Sequence, residues 1–173
     1  HSYRVTHALA HEYAQKYMQR ETHYIDRLVD YFVVVTRTAN EMGVEDLFRQ
    51  LNRYRPHIVR IMQLAVSVEK WQSVIEIANN VDKYLEFQGY LFERIGAATA
   101  AVQACQAIAN PELERAYWGA LGDAYFWLDD MPNANKTYET RLRLARESGN
   151  ILQQCECLGN LGRVSLTDDS EEA

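Results

Sequence analysis

Two histidines near the start of the chain, His7 and His11, stand four residues apart, a spacing that places both on one helical face. Zinc hydrolases carry H-E-x-x-H, in which the Glu after the first His acts as general base on metal-bound water. Ala8 occupies that place here, so no base is supplied. A metal would need a further ligand from His1, His23 or a distant carboxylate. We predict no metal site, and stoichiometric zinc in tag-free protein would revive the alternative of a metal-dependent enzyme.

Three cysteines, Cys105, Cys155 and Cys157, are an odd number, and the chain begins with no apolar signal-peptide core. A reduced, cytoplasmic protein is therefore expected. The C-x-C spacing points two thiols to different sides of a helix, which favours packing roles over a redox pair. No Ser/His/Asp or Cys/His arrangement carries a local signature. We predict a protein without catalytic residues and without a cofactor.

The composition is typical of a globular protein: 173 residues, of which 47% are apolar and 24% charged. The longest apolar runs are short, such as YFVVV at 31–35. They fall far below the roughly 18 residues that a membrane helix needs, so no membrane partner is expected. The chain has no initiating Met, and we expect it to be a fragment of a longer protein.

Charge is unevenly distributed along the chain. Residues 1–70 hold ten Lys/Arg and eight Asp/Glu, a balance of +2, whereas residues 71–173 hold eight and sixteen, a balance of −8. An acidic second half argues against wrapping a nucleic-acid backbone. One basic stretch remains as an alternative phosphate contact, through Arg49, Arg53, Arg55 and Arg60. A salt-dependent nucleic-acid shift that Arg53→Ala and Arg55→Ala abolish would support that alternative.

Apolar residues recur at intervals of three and four throughout, which predicts helices everywhere except a short strand at Tyr3 to Val5. Pro111 after Asn110 is typical of a helix start, and we interpret Pro56 and Pro132 in the same way. Gly43 and Gly149 are expected to end helices. The predicted helices span 6–19, 22–42, 45–53, 56–69, 72–87, 90–109, 112–128, 131–147 and 151–166. Two predicted apolar stripes are Tyr24, Leu28, Tyr31, Phe32 and Val35, and Ile58, Ile61, Met62 and Ala65.

Internal similarity indicates a repeat. The pair Leu121–Gly122 recurs as Leu161–Gly162, forty residues later, and Tyr125 has a counterpart at Tyr84, forty-one residues earlier. Because loops are short, sequential helices should be antiparallel neighbours. The predicted units are 72–109, 112–147 and a truncated 151–173.

The middle unit resembles the tetratricopeptide (TPR) repeat, whose unit is about 34 residues long. The residues that carry the resemblance are Trp118, Leu121, Gly122, Tyr125, Ala134 and Tyr138. Gly122 and Ala134 are small where two helices should cross closely, and the aromatic residues fill the space around that crossing. Arg141 and Arg146 depart from the family pattern. The resemblance implies an all-α fold of stacked hairpins in a right-handed superhelix.

The order of segments resembles the arm that follows the winged-helix region of STAND-type (NB-ARC-like) signalling ATPases. Residues 1–20 would end the winged helix or form a leading helix, 21–70 would be a helical connector, and 71–173 the TPR-like repeats. The family's phosphate-binding motif, G-x-x-x-x-G-K-[ST], is absent from the chain. This chain by itself is therefore expected not to hydrolyse ATP.

The resemblance also implies a concave groove lined by the first helix of each unit. Phe126 and Trp127 adjoin Tyr125, and since neighbouring aromatics cannot all point inward, one of them is expected in the groove. The predicted groove residues are Asp82, Leu85, Glu86, Gly119, Asp123, Phe126, Trp127 and Arg163. We expect a protein or peptide ligand, or another domain of the parent chain. The alternative is a free-standing TPR adaptor or peptide-binding receptor.

Overall fold

The computed structural model describes the backbone of residues 8–41 and 44–171, and the side chains of residues 23–41 and 45–167. These residues form α-helices joined by short turns, without a strand among them, so the predicted all-α class is confirmed. Consecutive helices pack on one another as an α-solenoid. The helices are α1 (Ala8–Asn40), α2 (Val44–Ser67), α3 (Trp71–Phe87), α4 (Leu91–Ala107), α5 (Pro111–Trp127), α6 (Met131–Glu147) and α7 (Ile151–Glu171). The predicted strand at residues 3–5 and the predicted helix end at Gly43 lie outside the described residues.

From the end of α2 onward, the turns between helices recur every twenty residues. Each places one residue in the left-handed region, with φ between 54° and 68°. These residues are Glu69, Gly89, Ala109, Asp129 and Gly149. The next residue then donates its N–H to the carbonyl five positions back, as Asn110 does to Cys105 at 2.9 Å, which closes the preceding helix. The forty-residue period of the sequence thus corresponds to two helices of equal length, each followed by a turn with one left-handed residue.

The residue after each left-handed position begins the next helix. Asn110 is confirmed as an N-cap, since its side chain accepts the N–H three residues on at 3.2 Å, and Asp130 and Asn150 do the same. Lys70 and Tyr90 occupy the equivalent position without capping. Their side chains instead reach the previous hairpin: Lys70 Nζ lies 2.7 Å from an Asp30 carboxylate oxygen. The same position therefore serves either as a cap or as a link between hairpins.

Two helix breaks predicted in the first seventy residues are wrong. α1 continues through the predicted gap at residues 20–21, and α2 continues through Pro56, which is not a helix start. A proline inside a helix removes one backbone hydrogen bond. Leu51 and Ile58, on either side of Pro56, are both fully buried. Packing of both halves of α2 on the same core compensates for the missing bond.

The core confirms one predicted stripe and corrects the other. Ile58, Ile61, Met62 and Ala65 are all buried, as predicted for α2. On α1 the buried face is rotated, and Tyr24, Leu28 and Tyr31 are exposed. Among the described side chains of α1, those of residues 23–40, the buried ones are Val29, Phe32, Val33, Val35, Thr36 and Ala39. Tyr24 and Tyr31 therefore contribute less to the core than their hydrophobicity predicts, whereas Phe32 is part of it.

The close crossing of α5 and α6 follows the sequence prediction. Ala134 and Tyr138 are fully buried, and a Cβ built on Gly122 would lie 2.8 Å from the Cζ of Tyr138. The Tyr138 ring thus lies directly on the backbone of α5. This contact fixes the orientation of α5, which carries the centre of the candidate site.

The left-handed turns allow a matched test of backbone strain. A side chain at positive φ brings Cβ close to the next carbonyl oxygen, so Ala109→Gly is expected to raise the free energy of unfolding by about 1 kcal/mol. Gly89→Ala, at the equivalent turn, should lower it by about the same amount, since no heavy atom lies near its Cβ position and strain alone acts. Urea denaturation followed by far-ultraviolet circular dichroism measures both. Changes of the same sign would contradict the assignment.

Candidate functional site

Alternate helices of the solenoid contact one another and form a continuous surface. Tyr117 of α5 donates its hydroxyl to Asn79 of α3 at 2.6 Å. Arg115 of α5 donates to Gln153 of α7 at 2.8 Å. The two partners of each pair are 38 residues apart. These bonds hold α3, α5 and α7 side by side, so that residues from three successive units share one face.

Six of the eight predicted groove residues lie together on this surface. We call them the α3–α5–α7 face: Asp82, Glu86, Asp123, Phe126, Trp127 and Arg163. They form a connected series in which Trp127 and Glu86 line one pocket and Arg163 contacts Asp123 and Phe126. The grouping rests on helix packing and not on proximity in the sequence.

Arg94 of α4 anchors one end of the face and is not among the predicted groove residues. It is only 4% exposed, and its Nε donates to Asp82 Oδ1 at 2.9 Å. Its Nη1 lies 3.2 Å from a Glu86 oxygen, although not in hydrogen-bond geometry. Burial acts to lower the pKa of Arg94, but the hydrogen bond and charge of Asp82, with the charge of Glu86, raise it overall. The sequence signal that could have identified Arg94 is its position as the single cation of the Ala-rich helix α4.

Arg163 and Phe126 form the other end of the face. The guanidinium carbon of Arg163 lies 4.4 Å from the centre of the Phe126 ring, a cation–π geometry. Arg163 Nη2 is also 3.9 Å from Asp123, whose Oδ1 accepts the Tyr138 hydroxyl at 2.6 Å. Burial and the hydrogen bond to Asp123 raise the pKa of Tyr138 above its ordinary value. Asp123 therefore stays oriented by two partners while one edge of it remains accessible.

Trp127 is the exposed aromatic residue of the face. Phe126 is half-buried against the α6–α7 core, whereas Trp127 is 68% exposed and meets the Phe126 ring edge-to-face at 5.9 Å. Trp127 borders a pocket of about 210 Å³, which Glu86, Leu91 and Arg94 also line. An exposed indole beside fixed charges of both signs is the kind of anchor that protein interfaces use.

Leu85 and Gly119 do not lie on the surface of the face, which corrects two predictions. Leu85 is fully buried in the core, although Asp82 and Glu86 close to it on α3 reach the surface. Gly119 is buried beneath Arg141, whose guanidinium would meet an added Cβ at 3.2 Å. Arg141 in turn pairs with Glu156 of α7 at 3.1 Å. Both residues contribute to helix packing.

The histidine hypothesis stays a prediction, because most of its residues lack described side chains. His7 and His1 lie outside the described residues, and His11 lies in α1 without a described side chain. His23 is exposed. Within the described part of the chain, no group of three or more His, Cys, Asp or Glu side chains could hold a metal ion.

The C-x-C thiols are oriented as predicted, and two of the three cysteines are buried. Cys105 and Cys157 are buried and Cys155 is exposed, so the C-x-C pair does point to different sides of α7. Burial raises the pKa of Cys105 to about 11. A thiol with that pKa is a poor nucleophile at neutral pH.

The basic patch is partly neutralised. Arg49 lies 3.1 Å from Asp46, and Arg55 lies 2.6 Å from Glu93 while stacking over the Tyr90 ring at 4.2 Å. Two of the four predicted phosphate contacts are thus already paired.

In the part of the chain that the structure describes, every helix is too short or too polar to span a bilayer.

The sequence matches no protein-family model and no curated protein.

Proposed function

We propose that this chain is a non-catalytic interaction and sensor module that binds a protein or peptide on the α3–α5–α7 face. Trp127 carries this proposal, because a large exposed indole is costly to leave in water and lies beside the Glu86–Arg94 ion pair. An aromatic anchor flanked by preformed charges is the common arrangement of a binding hot spot. The ion pairs also orient the charged groups before a ligand arrives, which lowers the entropy cost of binding.

The TPR-like units support a more specific proposal. The chain is proposed as the regulatory arm of a cytoplasmic STAND-type signalling ATPase or transcription regulator, in which ligand binding on the arm biases a switch domain. The alternative is a free-standing TPR adaptor or peptide-binding receptor. The reading frame upstream of His1 distinguishes them: a P-loop sequence there favours the ATPase arm, and a nearby start codon favours the adaptor.

Trp127→Ala tests the binding face. Peptides selected on the wild-type chain from a random display library are expected to lose at least about tenfold in affinity for Trp127→Ala, since hot-spot truncation costs about 2 kcal/mol or more. Stability should stay within about 0.5 kcal/mol, because the side chain is mostly exposed. Fluorescence anisotropy measures the affinity, and urea denaturation measures the stability.

Phe92→Ala is the matched control, since Phe92 is 77% exposed on α4 and lies outside the face. It should leave affinity unchanged. Selected peptides that bind Trp127→Ala as tightly as the wild-type chain would contradict the proposed face. Unfolding of Trp127→Ala would contradict the assignment of Trp127 to a surface role.

A further inference from the structure

A second and larger pocket lies between α4, α5 and α6. Its volume is about 450 Å³, within the range of ligand sites. Its floor is formed by Trp118, Leu121 and Tyr125 of α5. Helical geometry places these three residues on the opposite side of α5 from Asp123 and Trp127, because 3.6 residues complete a turn. This pocket is therefore separate from the α3–α5–α7 face.

The walls of the pocket are rich in hydrogen-bond acceptors. Thr99, Thr137 and Thr140 each line it, and each hydroxyl already donates to a backbone carbonyl of its own helix, at 2.7, 2.8 and 2.9 Å. A hydroxyl has a single hydrogen, so an oxygen that donates in this way can only accept from a ligand. The three threonines therefore present acceptors on both the α4 and the α6 wall.

Two amide side chains add to this pattern. Gln106 donates an amide hydrogen to Glu114 at 2.8 Å, and Asn133 donates one to Asp130 at 2.7 Å. Each bond orients the amide and uses one of its two N–H hydrogens, so the carbonyl oxygen stays available as an acceptor beside one remaining N–H donor. Among the eleven described lining residues, Lys136 is charged and none is acidic.

The site is elongated. A neighbouring pocket of about 280 Å³ lies between α2 and α4, lined by Gln63, Val66 and Gly96 among others. The two pockets share Thr99 and Gln103, so they meet along α4. An extended chain laid across this ridge of α4 can reach both pockets, whereas a compact molecule fills one of them.

We propose that the pocket between α4, α5 and α6, here called the α4–α6 trough, binds an extended peptide segment of a partner protein. The peptide's backbone N–H groups donate to the threonine and amide oxygens. An apolar side chain lies on Trp118 and Tyr125, and a carboxylate of the peptide pairs with Lys136. The rest of the peptide is uncharged, because Lys136 is the one charged residue among the described lining residues. This site is additional to the face proposed above.

The test titrates the chain with an acetylated and amidated peptide of alternating Leu and Ala with one Asp. Nuclear magnetic resonance follows the indole N–H signals of the chain. The three tryptophans, Trp71, Trp118 and Trp127, distinguish the two sites. We expect a saturable change in the chemical shift of the Trp118 indole N–H signal and no change in that of Trp127. A twin peptide with N-methylated backbone, which lacks the donors, should bind at least tenfold more weakly.

Two variants sharpen the result. Lys136→Gln should weaken the Asp peptide about tenfold and leave an Asn twin unchanged. Thr140→Val keeps the side-chain shape and removes an acceptor, so it should weaken both peptides a few-fold, whereas Thr38→Val on the exposed surface of α1 should have no effect.

Three outcomes would overturn the proposal. The first is a Trp118 signal that no peptide moves. The second is equal binding of the N-methylated twin, which would leave only apolar contact. The third is movement confined to Trp127, which would assign peptide binding to the α3–α5–α7 face and leave the trough unused.

Discussion

Tyr84→Ala is expected to lower the free energy of unfolding by about 3 to 5 kcal/mol, the range for removing a buried aromatic side chain. Tyr84 is 1% exposed, and its ring lies 5.7 Å from the rings of Phe48 and Tyr90. Its hydroxyl donates to Asn52 at 2.8 Å. Since Phe48 and Asn52 belong to α2, the substitution opens a cavity between the first hairpin and the units that follow.

Tyr84→Phe is the control, because it keeps the ring and removes one hydrogen bond. A loss of about 1 kcal/mol is expected, since Asn52 still accepts the Tyr90 hydroxyl at 3.0 Å. Urea denaturation followed by circular dichroism measures both variants. Equal losses would contradict the view that ring volume, rather than the hydroxyl, holds α2 against α3.

Gly122→Ala is expected to lower the free energy of unfolding by about 2 kcal/mol, although alanine is the better helix former. The new Cβ would lie 2.6 Å from Cδ1 of Tyr138. Tyr138 is fully buried and its hydroxyl is bonded to Asp123, so the ring has no free space to enter. The strain should separate α5 from α6.

Gly162→Ala is the matched control at the equivalent position of the next unit. Its Cβ would have no neighbour within 4 Å, so only helix propensity acts, and stability should rise by up to about 1 kcal/mol. The two substitutions are therefore expected to differ by about 3 kcal/mol in the same denaturation experiment. If both stabilise the chain, the close crossing at Gly122 is not present in solution.

Much of the repeat was predictable, because its signals are local. The Leu-Gly pairs at 121 and 161 gave the period, and the cap at Asn110 with Pro111 gave a helix start. The left-handed turns at Glu69, Ala109 and Asp129 were missed, since these residues are not the glycines that usually mark such turns. Backbone hydrogen bonds and the packing of adjacent helices impose that conformation there.

The candidate site was predictable in part. The exposure of either Phe126 or Trp127 followed from the crowding of three consecutive aromatics, which is a property of one helix, and the structure assigns that exposure to Trp127. The burial of Leu85 and Gly119 was not predicted, because a helix packed on neighbours from both sides has little surface left, and the width of that surface depends on those neighbours. Arg94 was missed for a similar reason: its partners, Asp82 and Glu86, are on another helix.

The sequence by itself determined that the chain is helical, that its units repeat every forty residues, and that Gly122 lies at a close crossing. These properties depend on the spacing of apolar and small residues along one or two helices. Tertiary structure decided that α2 continues through Pro56, which face of α1 is buried, and which charges meet at Arg94. Each of these depends on side chains distant in sequence, whose contact energies outweigh the small local preferences of the backbone.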